Sequence, residues 1–258
     1  MKAEKRMKKI PPMEEMIRLI ESPMELEKDE KVALRNRCML EMLFATGMRI
    51  SELIGLDLDQ INTEGHMYIL GKGRKERSVY MTPRSLRWLN NYLKVRLNYA
   101  FADEEQQKEI KGFTSERETS SSGDEEESSM LNLEMFDDDL KYIQIVEKYR
   151  ETGYLKKFDS PALFIPFSGG RYGKKGSRIS TNYFQEKIAE YRRKLGIQMK
   201  TSAHSLRHGF ATYMAEKGAS PAALQILLGH SSLNTTTKYV HASEKFAEDT
   251  VKQYHPLK

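Results

Sequence analysis

Apolar residues recur every three or four positions along two long parts of the chain, one near each end. From about Lys31 to Phe44 this spacing predicts a helix, which Thr46-Gly47 would end. A second helix is predicted over Arg49–Leu56, and a short one around Met13–Glu21. The first half of the chain is therefore predicted to begin with helices.

Alternating apolar and polar residues replace the helical spacing further along the chain. Met67–Leu70 and Arg77–Met81 are predicted as two β-strands joined by a Gly-rich turn at 71–76. A third short strand is predicted at Ala162–Phe167. With helices on both sides, this pattern predicts a mainly α protein with a small three-stranded antiparallel sheet, an α+β fold.

Capping residues set the limits of the remaining predicted helices. Thr82-Pro83 and Ser220-Pro221 are N-cap and first-position pairs, and glycines follow several predicted helix ends. The helices predicted from these signals are Thr82–Asn98, Tyr142–Tyr149, Thr181–Leu195, Ser205–Lys217, a segment from Ser220 to Gly229, and about Ser243–Tyr254.

An acidic, low-complexity segment interrupts this pattern at about 101–139. It holds 14 Asp/Glu against 3 Lys/Arg, a formal charge of −11, which leaves +16 on the rest of a chain whose net charge is +5. Its composition predicts disorder. The basic remainder favours a nucleic-acid partner. Beside such a partner the acidic segment could be a tolerated loop, a segment that points away from DNA, or an electrostatic autoinhibitor.

Composition argues against several classes of protein. No run of eighteen apolar residues predicts a membrane span, and the basic N-terminus lacks the apolar stretch of a secretory signal. The single cysteine, Cys38, cannot form an internal disulfide and fits a reducing compartment. We therefore expect a cytoplasmic protein without a membrane partner.

Four motifs carry candidate chemistry. They are ATGMRISEL (45–53), GKGRKER (71–77), HSLRHGFAT (204–212) and LGHSSLNTTTKYVH (228–241). Three of these motifs supply a set of two arginines, two histidines and a tyrosine that suits a nucleophilic tyrosine attacking a phosphodiester, namely Arg49, Arg207, His204, His230 and Tyr239. Each motif alone is a weak signal, whereas all four in this order are a strong one.

In this order the motifs resemble the catalytic domain of the tyrosine recombinase (phage integrase) family, and most closely its Xer-type members. The likeness covers roughly residues 30–98 and 160–258. It implies site-specific recombination of double-stranded DNA through a 3′-phosphotyrosyl intermediate, with neither a metal ion nor a cofactor.

The resemblance also implies a role for each residue. Tyr239 would be the nucleophile, and Arg49 and Arg207 would bind the non-bridging phosphate oxygens. His204 would act as a general base or donate a hydrogen bond to the phosphate, and His230 would be a second hydrogen-bond donor to the phosphate. A sixth residue, Lys72, would protonate the leaving 5′-oxygen.

Each role has a plainer alternative. Tyr239 could be a surface tyrosine, Arg49 could form an i,i+3 ion pair with Glu52, and Arg74 or Lys75 could approach DNA in place of Lys72. His204 and His208 stand four apart and could bind zinc, but the motif lacks the Glu and the cysteines of common zinc sites. The ion pair and phosphate binding by Arg49 are compatible.

The resemblance predicts a domain plan as well. Residues 29–258 would form the catalytic domain, interrupted by the acidic insert, and 1–28 an extension, with the family's separate N-terminal DNA-gripping domain absent. The helix near the C-terminus would join four copies on two DNA sites, anchored by Phe246, Val251 and Tyr254, or fold back on its own chain. Two other functions stay open, namely a catalytically silent DNA-binding relic or regulator and a type IB topoisomerase-like relaxing enzyme.

Overall fold

A computed structural model describes residues 11–70, 76–98, 140–170 and 174–229. Within these ranges it contains nine α-helices and two β-strands. None of the described helices is long and apolar enough to cross a bilayer. The elements in chain order are α1 Met13–Glu21, α2 Pro23–Leu26, α3 Glu30–Thr46, α4 Ile50–Gly55, β1 His66–Leu70, β2 Glu76–Tyr80, α5 Pro83–Leu97, α6 Lys141–Glu151, α7 Thr181–Lys194, α8 Ala203–Glu216 and α9 Pro221–Leu228.

Helix α3 lies at the centre of the fold. Asp29 caps its start by accepting a hydrogen bond from the Lys31 backbone N–H (2.9 Å), and Gly47 ends it in the left-handed conformation at φ +62°. Helices α1, α2, α4, α5 and α8 all contact it, which is why it is buried on every side and not along a single stripe.

The helices predicted in the described ranges are confirmed, with ends that shift by one or two residues. Thr82 and Ser220 are the N-caps of α5 and α9, and proline occupies the first position of both helices. Gly229 follows α9 in the left-handed conformation, at φ +61°. The helix predicted at about Ser243–Tyr254 lies outside the described residues.

Strands β1 and β2 form one antiparallel pair in the described part of the chain. Ile69 lies opposite Arg77, and Met67 opposite Val79, on the face that packs inward. An arginine therefore occupies a position where the strand alternation puts apolar side chains. The predicted turn between the strands lies outside the described residues, except for Glu76.

The prediction of a third strand at Ala162–Phe167 is wrong. The described part of this segment makes a single bridge, Ala162 to Asp57, and no ladder. Its carbonyls accept hydrogen bonds from buried side chains instead, Ala162 from Arg96, Leu163 from Tyr92 and Ile165 from Arg35. Because these side chains satisfy the backbone, the segment can be buried without pairing as a strand.

Helices α5 and α6 stand on either side of the acidic segment in the sequence and pack against each other in the fold. The Asn90 side chain of α5 accepts hydrogen bonds from the backbone N–H groups of Tyr142 (2.8 Å) and Ile143 (3.3 Å) at the start of α6. The chain thus leaves the core and returns to it at neighbouring positions. Residues 101–139 themselves lie outside the described residues.

Candidate active site

The turn between α3 and α4 is shaped by its contacts with α8. Gly47 has a positive φ, and a Cβ atom there would overlap the ring of Phe210 on α8. The Gly47 carbonyl accepts a hydrogen bond from Arg207 Nη1 (2.6 Å). A glycine is therefore required both by the backbone conformation and by the close approach of an aromatic ring.

Arg49 stands two residues after Gly47, at the N-cap of α4. Its backbone N–H donates to Glu52 Oε2 (2.7 Å), and its Nη1 donates to Glu52 Oε1 (2.8 Å). The Arg49 side chain is 35% exposed, whereas that of Glu52 is buried. Arg49 lines a cleft of about 770 Å³ together with Ser51 and Gln60, so Glu52 holds a guanidinium at the edge of an open space.

Arg207 approaches the same turn from α8. It is 6% exposed, and its guanidinium donates to the carbonyls of Gly47 and of Leu228, the last residue of α9. One buried cation therefore joins the α3–α4 turn to the end of α9. His204, one helical turn earlier on α8, is exposed.

The two histidines of α8 contact each other. The ring centroids of His204 and His208 are 4.3 Å apart, with the rings edge to face. Across the described ranges, no group of three or more His, Cys, Asp or Glu side chains could hold a metal ion. Helix α8 therefore supplies two adjoining imidazoles close in sequence to Arg207, the residue that contacts the α3–α4 turn.

Arg77 is a site residue that the sequence reasoning missed. From β2 it donates to both carboxylate oxygens of Glu52, at 2.8 and 2.6 Å, and its Nε donates to the Leu227 carbonyl (3.0 Å). The signal that could have revealed it is the strand alternation, which turns Arg77 inward beside Val79. A charge that faces a core needs a buried partner, and Glu52 is that partner.

Glu52 is ionised in this arrangement. Burial by itself favours its neutral form, but the hydrogen bonds from Arg77 and from the Arg49 backbone N–H, and the charges nearby, outweigh burial and lower the pKa to about 2. The carboxylate therefore stays negative near neutral pH and can hold both arginines.

The structure brings three of the six predicted site residues to one region and leaves the other three outside its described part. Arg49, Arg207 and His204 lie on or next to the α3–α4 turn and α8. Lys72 falls in the connection between β1 and β2, His230 is the residue after Gly229, and Tyr239 comes nine residues later. The catalytic roles of all six residues therefore stay predictions.

Proteins with similar sequences are tyrosine recombinases. The chain is 28% identical over 244 residues to the tyrosine recombinase XerC of Chlamydia trachomatis, covering 94% of this chain and 57% of that protein. It is 26% identical over 245 residues to the XerC of Vibrio cholerae, covering 95% and 57%. The chain thus spans a little over half the length of these relatives.

Solved structures of recombinases share the fold. The crystal structure of XerA recombinase superposes with a TM-score of 0.58 at 22% identity, covering 96% of this chain and 66% of that one. The XerH site-specific recombinase bound to a palindromic difH substrate, in a post-cleavage complex, gives 0.60 at 23% identity, covering 96% and 53%.

A family model extends over most of the chain, from α1 past the end of α9. It is that of the phage integrase family, and it matches residues 13–245, a range that contains all six predicted site residues. The chain belongs to the phage integrase family.

Proposed function

We propose that the chain is a site-specific DNA recombinase that cleaves and rejoins strands through a 3′-phosphotyrosyl intermediate at Tyr239. The observation that carries the proposal is the meeting of two arginines at one turn. Arg49 reaches an open cleft from that turn, and Arg207 binds the carbonyl of Gly47, two residues before Arg49.

The chemistry needs cations that keep their charge while a phosphorane forms. Arginine does so at any physiological pH, and its planar fork matches two phosphate oxygens. In the proposed step the Tyr239 oxygen bonds to phosphorus and the 5′-oxygen of the next nucleotide leaves as a hydroxyl, with its proton supplied by Lys72. A second 5′-hydroxyl then attacks the phosphotyrosine, so the bond is restored without an external energy source.

His204 and His230 complete the proposed site. His204 lies on the exposed side of α8, one turn before Arg207, where it could accept the tyrosine proton or donate to a phosphate oxygen. His230 comes directly after the α9 end that Arg77 and Arg207 hold. Both assignments follow the family pattern of these motifs.

The names of the relatives support the same function. The XerC proteins are called tyrosine recombinases, and XerH is described with difH substrate in pre-cleavage and post-cleavage complexes. Double-stranded DNA is accordingly the proposed partner, and it suits the net charge of +16 outside the acidic segment. Cys38, buried in α3, fits action in a reducing cytoplasm.

We also propose that four copies assemble on two DNA sites through the segment at about 243–254. Replacing Phe246 and Val251 with Asp should then abolish the tetramer on DNA while single copies still bind. Light scattering of the protein with and without a two-site duplex would measure this. A tetramer that survives both replacements would contradict the assignment of this segment.

We further propose that residues 29–258 form the catalytic unit, with the acidic segment as an insert. Helix α1, which precedes residue 29, contributes Met16, Leu19 and Ile20 to the same core. Deleting 115–135 tests the insert, since unchanged DNA affinity at low salt would argue against autoinhibition.

Covalent capture tests the proposed function. The protein is incubated with fragmented genomic DNA in excess EDTA, denatured with SDS, and the DNA that stays attached to protein is sequenced. Attached DNA with one common 3′ end, lost in Tyr239→Phe, is the expected result. Binding without attachment would favour the silent relic, and relaxation of plasmid without a preferred site would favour a topoisomerase-like enzyme.

A further inference from the structure

The C-terminal end of α9 is held by two arginines from two different elements. Arg77 of β2 donates to the carbonyl of Leu227, and Arg207 of α8 donates to that of Leu228. These are the last two residues of the helix, whose terminal carbonyls have no partner within it. The two cations thus grip consecutive carbonyls just before Gly229 and His230.

Arg77 is packed closely against the residue that ends this helix. A Cβ atom added to Gly229 would lie 2.8 Å from Arg77 Cδ and 3.1 Å from its Nε. The absence of a side chain at Gly229 therefore gives the Arg77 stem its path to Glu52. The glycine of the Gly-His motif and the arginine of GKGRKER are complementary in shape.

The other end of Arg77 reaches the residue that holds Arg49. Its Nη1 and Nη2 each donate to a different oxygen of Glu52, and each of those oxygens also accepts from Arg49. Both carboxylate oxygens are shared in this way, so the direction of the Arg49 guanidinium depends on the position of Arg77.

We propose that Arg77 is a positioning residue of the strand-cleavage reaction, tying the start of α4, which carries Arg49, to the end of α9, which leads into His230. The proposal rests on the proposed function. Arg77 is 8% exposed and its guanidinium points at Glu52, so it acts on the scissile phosphate through Arg49 and does not touch it.

Lysine cannot take over this role. A bidentate bond to a carboxylate and a third bond to a carbonyl need the three nitrogens of a guanidinium, whereas an ammonium is a single point of charge. Arg77→Lys keeps the charge yet leaves Glu52 or the Leu227 carbonyl without its donor. Misplacing a catalytic group by about 1 Å can slow a reaction about 100-fold, and a loss of this size is expected for cleavage.

The test compares single-turnover cleavage of a nicked duplex by the wild type, Arg77→Lys, Arg49→Lys and Arg84→Gln, at saturating protein. The duplex carries the DNA site found by the covalent-capture experiment. Arg84 is the matched control, because it also pairs with a buried carboxylate, Glu41, but at the junction of α5 and α3. Melting temperature and DNA affinity are measured for each variant.

A second duplex carries a methylphosphonate at the scissile position, which removes one charged non-bridging oxygen. If Arg77 acts through Arg49, the defects of Arg77→Lys and Arg49→Lys should both shrink on this substrate, while DNA affinity on the normal duplex stays at the wild-type value. Arg84→Gln should cleave both duplexes like the wild type.

The outcomes separate the two proposals. If Arg77→Lys cleaves as fast as the wild type, or if its defect follows its loss of stability and is the same on both duplexes, the positioning role is overturned. If the wild type forms no covalent adduct with genomic DNA, so that no site is captured, the proposed function fails and the positioning role with it.

Discussion

Among the buried arginines of the described residues, two pairs that bind backbone carbonyls differ in what surrounds them. Arg35 and Arg96 are 1% and 0% exposed and bind carbonyls of the segment around 160–165. Arg77 and Arg207 bind the carbonyls at the end of α9. Both pairs use the same chemistry, guanidinium donors on backbone acceptors.

The difference lies in the neighbours of each pair. Arg96 donates to backbone carbonyls and lies over the Phe158 ring, and burial lowers the pKa of its guanidinium. Arg77 faces the ionised Glu52, which also binds Arg49 at an open cleft. The first pair replaces a missing strand ladder, whereas the second connects elements that carry the proposed catalytic residues.

Replacing Arg207 should have the largest effect. Arg207→Gln removes a proposed hydrogen-bond donor to the phosphate. It also removes the hydrogen bonds from the guanidinium to the carbonyls of Gly47 and Leu228. Loss of one preorganised donor slows catalysis about 100- to 1,000-fold, and we expect the upper end of that range. Single-turnover cleavage at saturating protein measures it, and a rate within tenfold of the wild type would refute the assignment.

Replacing Arg96 should lower the stability of the fold and leave the cleavage rate unchanged. Arg96→Met leaves the Ser160 and Ala162 carbonyls without these donors, at about 1–3 kcal/mol each, so the free energy of unfolding should fall by about 4 kcal/mol. Urea titration measures the loss. The cleavage rate per folded molecule, measured well below the melting temperature, should match that of the wild type. A lower rate per folded molecule would contradict the purely structural role of Arg96.

The hydrogen bonds that Glu52 accepts from Arg49 and Arg77 should make the free energy of unfolding decrease at acid pH. Its folded-state pKa of about 2 lies below the ordinary 4.5, so the charge stabilises the fold fully above about pH 4.5 and this stabilisation disappears as the pH falls towards 2. The shift corresponds to about 3 kcal/mol. Urea titrations between pH 2 and 7 should show this dependence in the wild type.

Glu52→Gln provides the control for that experiment. It removes the titrating group but keeps the size of the side chain, so its free energy of unfolding should be lower at pH 7 and should change less between pH 5 and 2. An equally steep decline in the variant would assign the acid sensitivity to other carboxylates.

Gly229→Ala should have the smallest effect of the set on stability. The methyl group meets Arg77 at 2.8 Å, and the φ of +61° is unfavourable for alanine, so a loss of about 2 kcal/mol is expected. Thermal unfolding measures it. Gly218→Ala, at φ +90° with open space around it, is the matched control for backbone strain alone and should lose less.

The helices could be predicted because their signals are local. Apolar spacing, the caps at Thr82 and Ser220, and the glycine at 229 all act within a few residues of the helix ends they set. The two-stranded pairing of β1 and β2 followed from alternation in adjacent segments.

The absent third strand could not be predicted in this way. Arg96 and Arg35 satisfy the carbonyls of Ala162 and Ile165 from 66 and 130 residues away, and no local pattern records such a bond. The partnership of Arg77 with Glu52 spans 25 residues and two elements, so the sequence could indicate at most that an inward arginine needs a partner. The motifs made Arg49, His204 and Arg207 predicted site residues through the family resemblance, and the structure shows that Arg207 contacts the turn that carries Arg49.

The most direct test of the account is to find the atom that carries the DNA. The adduct formed in EDTA on the captured site is digested with trypsin and nuclease, and the modified peptide is sequenced by mass spectrometry. The account predicts a nucleotide 3′-phosphate on the peptide Tyr239–Lys245, attached at Tyr239. Attachment at any other residue, or none in a protein that binds this DNA, would contradict it.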